Sequence, residues 1–152
     1  SSKNTRRKGK EMGTISENFS YREFEASRTA DLHDICNVIR TVRVRDAVRE
    51  LTLEVLQPLH DAWGGPLHVN SGYRCEELNR LVGGVASSQH VKGEAADIAC
   101  EKPEELARLA VKLRLPFDQM ILYPDFVHFS HSLDGPQRGQ VLYNRRYKGE
   151  KV

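Results

Sequence analysis

Long apolar runs are missing from this sequence: none approaches the ~18 residues that a membrane-spanning helix requires, so an α-helical span is excluded. No signal-peptide pattern opens the chain. Cysteine is scarce. Cys36, Cys75 and Cys100 make an odd count without CxxC spacing, which argues against a disulfide framework and against a thiolate zinc site. Ordinary free thiols are expected, with a Cys75–Cys100 bridge as the alternative. A dominant sign of charge is lacking too. Lys and Arg number 23 against 21 Asp and Glu, a net charge of +2 with neutral histidines, and that balance gives no basis for a general nucleic-acid surface. Apolar residues are absent from Ser1 to Glu11, where five residues are basic. Such a segment buries too little to offset its ordering entropy. Residues 1–18 are therefore expected to be a disordered basic tail and 19–152 a single domain, a length that suits one core. No feature demands a second copy, and a monomer is expected.

The remainder carries periodic apolar residues. Ser20 and Glu23 have capping-box spacing, which predicts a short helix over Tyr21–Ala26. From Arg43 the positions Val44, Ala47, Val48, Leu51, Val55, Leu59 and Trp63 recur at three and four, the stripe of a core helix. Pro58 is expected to kink or end its regular part, and Gly64-Gly65 to close it. Leu67–Asn70 reads as a strand. A small helix follows with Leu78, Leu81 and Val82 inward, ending at Gly83-Gly84. Val85–Gly93 is polar and turn-rich. Glu94–Cys100 reads as a strand, and Pro103 as the first residue of a helix burying Leu106, Leu109, Ala110 and Leu113. Strands are expected over Asp118–Tyr123, Phe126–His131 and Gly139–Asn144. Early helices and late strands indicate α+β with an antiparallel sheet.

The chemistry concentrates in two segments. Within Ser88-Gln89-His90-Val91-Lys92-Gly93-Glu94-Ala95-Ala96-Asp97, alternation puts Asp97 on one strand face with Ala95 and Ala99, and Ile98 on the other. The small alanines leave room above Asp97, and Gly93 permits a sharp return that brings His90 over the same face. Within Asp125-Phe126-Val127-His128-Phe129-Ser130, His128 faces away from Val127 and Phe129. If the two strands pair, Asp97 and His128 meet on the open face. Two imidazoles and one carboxylate suit zinc, and three protein ligands with one open position mark a catalytic site. His33, His60, His68 and His131 have no comparable setting and read as packed or surface residues.

In combination, Ser71-Gly72-Tyr73-Arg74, Ser88-x-His90-x-x-Gly93-x-Ala95-x-Asp97 and Asp125-x-x-His128 resemble the zinc D-alanyl-D-alanine carboxypeptidase family, most nearly its small single-domain bacterial and phage members. Further similar segments are Asn79–Gly84, Phe117-Asp118-Gln119 and Arg138–Leu142, so the likeness spans roughly Phe19 to Asn144. The resemblance implies a hedgehog/DD-peptidase-like fold, with an antiparallel sheet, helices on one face and a zinc cleft on the other. It implies one zinc per chain on His90, Asp97 and His128, with Asp125 as general base. Arg74 would meet the substrate or the oxyanion, and Ser88 and Gln89 would bind the substrate. Asp125 and Val127 stand where carboxypeptidase members usually carry Glu and Trp. The implied substrate is a peptidoglycan stem peptide at the bacterial cell wall, cut by a carboxypeptidase or an endopeptidase. The alternative is a non-catalytic zinc-binding module that recognises cell-wall peptides.

Overall fold

A computed structural model describes residues 13–152, and the greater part of the expected basic tail, residues 1–12, lies outside the described residues. Regular structure starts before Phe19. Thr14–Ser16 forms β1, paired antiparallel with β2 (Phe19–Ser20), because Ile15 packs against the core and Ser16 donates a hydrogen bond to Gln57. Ser20 then caps α1 (Tyr21–Glu25) by reciprocal bonds with Glu23, which seats Phe24 in the core. A short helix that periodicity does not reveal, α2 (Arg28–Leu32), follows its N-cap Ser27.

The core helix starts as α3 (Val42–Leu51), with Ala47, Val48 and Leu51 buried. Its regular part breaks ahead of Pro58, but the helical run does not stop there. The backbone widens into a π-helical turn at Thr52–Leu56 and continues as α4 (Gln57–Trp63). The N–H of Gln57 reaches back to the Thr52 carbonyl, the five-residue bond of a π-turn. Proline has no N–H to donate and its ring crowds the carbonyl a turn earlier. A wider turn is one way to accommodate both. Its extra residue also shifts the stripe, so Val55, Leu56 and Leu59 are all fully buried.

This helical run packs on a five-stranded sheet in the order β3 (His68–Ser71), β4 (Ala95–Ala99), β6 (Phe126–Ser130), β5 (Gln119–Leu122), β7 (Gln140–Tyr143). With α6 (Pro103–Lys112) it covers the face formed by Ile98, Val127 and Phe129, and all three residues are fully buried. Removing a buried Phe such as Phe129 costs about 3–5 kcal/mol. Packing of this kind outweighs any exposed ion pair, worth about 0–1 kcal/mol, in holding β6 and its histidine in place.

The described residues form a mixed α+β structure, with two departures from expectation. The sheet is antiparallel except at one edge, where β7 runs parallel to β5. After β6 the chain passes beneath the start of β5 and rises on its far side. β7 is therefore reversed relative to β6 and aligned with β5. The buried Asp118 carboxylate fixes this crossing, accepting bonds from the Arg138 backbone N–H at 3.0 Å and from its guanidinium at 2.9 and 2.9 Å. The inward faces of two helices also differ. In α5 (Glu76–Leu81) Leu78 and Asn79 are buried, while Leu81 and Val82 are exposed. Asn79 turns inward because its amide bonds the Arg74 guanidinium and the Val85 carbonyl. In α6, Ala107 takes the place expected for Leu113, which falls beyond the last helical residue and is exposed.

Hydrogen bonds from Arg138 hold the Asp118 carboxyl down at about 2, against an ordinary 3.8. A carboxyl lowered on folding stabilises the protein above its ordinary value and loses that contribution as pH falls through the folded one. Asp118→Asn is therefore expected to cost about 1–3 kcal/mol at neutral pH. In denaturant titrations the variant and the parent should converge as pH falls toward 2.

Candidate metal centre

Each donor is placed by a local feature of the chain. Asp97 and His128 are register partners across β4 and β6, so period-two alternation turns both side chains away from the helix-covered face. The Asp97 carboxylate accepts a bond from His128 Nδ1 at 2.8 Å and lies 3.4 Å from His90 Nε2. Ligand atoms of all three residues fall within 4.8 Å of one another. His90 arrives from the loop before β4, where Gly93 adopts φ +75 against α3. A Cβ at Gly93 would come within 2.7 Å of the Val44 carbonyl oxygen, so the sharp return requires glycine there.

The second nitrogen of His90 is also committed. Nδ1 lies 2.7 Å from the Gly72 carbonyl, which fixes the tautomer with Nδ1–H donating and leaves the Nε2 lone pair facing Asp97. Gly72 lies directly against α1: a Cβ there would sit 2.7 Å from Phe24 Cα, and the next N–H, of Tyr73, donates to the Phe24 carbonyl at 2.8 Å. The Ser-Gly-Tyr-Arg segment thus couples the first helix to the histidine. Gly72→Ala is expected to push that carbonyl off His90 and weaken zinc affinity by about 10–100-fold, the usual cost of losing a group that orients a ligating histidine. Competitive zinc titration against a chromophoric chelator measures it.

The donor set fits zinc. Tetrahedral zinc with bonds near 2.1 Å separates its ligand atoms by about 3.4 Å, the spacing of His90 Nε2 from Asp97, and the His128–Asp97 pair needs only a small opening. Burial would raise the Asp97 carboxyl, but its polar contacts, the hydrogen bond from His128 foremost, outweigh it and hold the carboxyl well below the carboxylate range. No proton has to leave Asp97 before a cation binds at neutral pH.

Around this group the other expected residues fall in different places. Ser88 and Gln89 line a cleft of about 610 Å³ together with His128. The Gln89 amide donates to Asp118 at 3.2 Å and to Glu94 at 3.4 Å. Arg74 is half-buried. Its Nη1 donates to Asn79 Oδ1 at 3.0 Å, its backbone N–H to the His90 carbonyl at 3.1 Å, and its buried Nε has no partner among the described residues. Burial lowers its pKa, opposed by the neighbouring Asp97 and Tyr123. Asp125 is exposed in the tight turn between β5 and β6, three residues before His128, with no hydrogen-bond or ion-pair partner among the described residues. Cys36, Cys75 and Cys100 are free thiols.

Two contributors carried no assigned role in the sequence reading. Asn79, in one of the segments similar to the family, anchors Arg74. Tyr123 follows β5 on the strand face of His128, since Ile121 pairs with His128. Burial pushes its phenol up, and Asp97 acts in the same direction. An aromatic residue after a strand reads as ordinary packing, so only pairing could single it out.

A His/Asp/His group on one face of a mixed sheet, with His90 buried and Asp97 and His128 half-buried, is the donor set of a metallohydrolase. The family model described as Peptidase M15 matches residues 17–131, and the chain belongs to that family of zinc-dependent metallopeptidases. A comparison with curated proteins finds no match.

Proposed function

We propose that this chain hydrolyses peptide bonds involving D-amino acids in bacterial peptidoglycan, as a D-Ala-D-Ala carboxypeptidase or a murein endopeptidase, with one zinc per chain on His90, Asp97 and His128. The observation that carries the reading is the convergence of these three side chains, with His90 Nδ1 already tied back to Gly72. The order of motifs along the chain supports the D-amino-acid substrate class.

Zinc, when bound, polarises the scissile carbonyl and lowers the pKa of a coordinated water to about 7. The protein's own residues supply the rest. Asp125 takes a proton from the attacking water and passes it to the leaving nitrogen, and ionisation of the new carboxyl supplies the second, so that a carboxylate and an ammonium leave in balance. Arg74, fixed by Asn79 and with an Nε lacking an internal partner, holds a substrate carboxylate or the developing oxyanion. Ser88 and Gln89 bind the substrate backbone along the cleft they share with His128.

A stem peptide ending in D-Ala-D-Ala and its all-L counterpart, incubated with zinc-loaded protein, test this reading. Cleavage confined to bonds with a D-residue is expected, and equal cleavage of both peptides would overturn the substrate class.

A further inference from the structure

A second cavity, of about 770 Å³, lies between the start of α6, the β5–β6 turn and the segment 146–150. It shares no residue with the metal group, but Tyr123 joins the two. The Tyr123 ring stacks on Phe126, with centroids 4.2 Å apart and planes within 13°, on the strand face that carries His128. From there it lines the cavity, and it is near enough to Asp97, Arg74 and Arg146 to feel all three charges.

The charges of the lining do not cancel. Arg108 is bridged to Glu104 at 2.6 Å and Glu150 at 3.2 Å, and Lys102 lies 3.9 Å from Glu105. The acidic residues of the lining are thereby taken. Arg146 and Lys148, both exposed, form no ion pair among the described residues. A guanidinium fork and an ammonium beside two tyrosine rings, Tyr123 and Tyr147, suit a carboxylate carried on a short side chain.

We propose that this cavity is a subsite for a substrate carboxylate on a residue next to the scissile bond, held by Arg146 and Lys148, with Tyr123 as the wall shared with the reaction centre. The proposal rests on the peptidase reading above and narrows it to acidic peptides.

Two probes test it: a stem peptide with a side-chain carboxylate on the residue flanking its cleavable D-bond, and the same peptide with that group amidated. Calorimetric titration of the full chain with metal chelated away reads affinity without turnover, and KM is measured with zinc restored. The acidic peptide is expected to bind about tenfold more tightly than the amide, and Arg146→Gln with Lys148→Gln should erase the difference. Arg145→Gln, set beside Arg146→Gln alone, makes the same single charge change at a residue outside the lining and should leave the ratio intact. Equal affinities, no measurable binding of either peptide, or an equal loss in Arg145→Gln would overturn the subsite. A persistent affinity ratio with no hydrolysis of either peptide would support the subsite and overturn the peptidase reading instead.

Discussion

Asp125→Asn is expected to lower turnover by roughly 10²–10⁴, the range for loss of a general base, with zinc content and stability nearly unchanged. The side chain is exposed in the β5–β6 turn and makes no hydrogen bond or ion pair within the described residues. Its carboxylate therefore contributes little to the fold, and surface changes of this kind usually stay within about ±0.5 kcal/mol. The amide keeps the shape and cannot accept the proton. Steady-state kinetics should show the loss in kcat more than in KM, because proton transfer belongs to the transition state. Near-normal turnover would assign the base elsewhere. Glu94 and Asp118, which border the cleft of His128, would be the next carboxylates to test.

His90→Ala should have the larger effect, removing zinc and hydrolysis together. Two of three donors cannot hold zinc at working concentration, and losing several kcal/mol of carbonyl polarisation corresponds to about 10³-fold or more in rate. The readout need not be activity. A ligand present at a thousand times its Kd stabilises the fold by about 4 kcal/mol, which for this size is roughly 8–16 °C in Tm. Zinc should raise the wild-type Tm on that scale and leave His90→Ala unmoved. An undiminished shift in the variant would show that the cation sits on other residues.

The candidate metal group was legible because short-range rules govern it. Alternation fixes the faces of Asp97 and His128, and a loop glycine permits the return of His90. Strand pairing brings them to 2.8 Å, and no local pattern dictates pairing. Long-range partners account for what the sequence did not disclose. Asn79 looks like a helix surface residue until Arg74 and the Val85 carbonyl are found on it. Asp118 and Arg138 belong to two segments similar to the family, yet only the crossing beneath β5 explains why they are joined. Hydrophobicity misled at Leu81, Val82 and Leu113, which lie at or just beyond the ends of their helices and are exposed. At Pro58 the regular helix is interrupted, as expected, but a π-turn lets the chain resume as a helix rather than stop.

Purified peptidoglycan incubated with the zinc-loaded chain, with and without chelator, and analysed by mass spectrometry for new termini tests the central claim most directly. The account predicts new fragments cut at bonds involving D-residues, their disappearance with chelator, and their return when zinc is restored. Fragments that persist in chelator, or a sacculus left intact by protein carrying one zinc per chain, would contradict it.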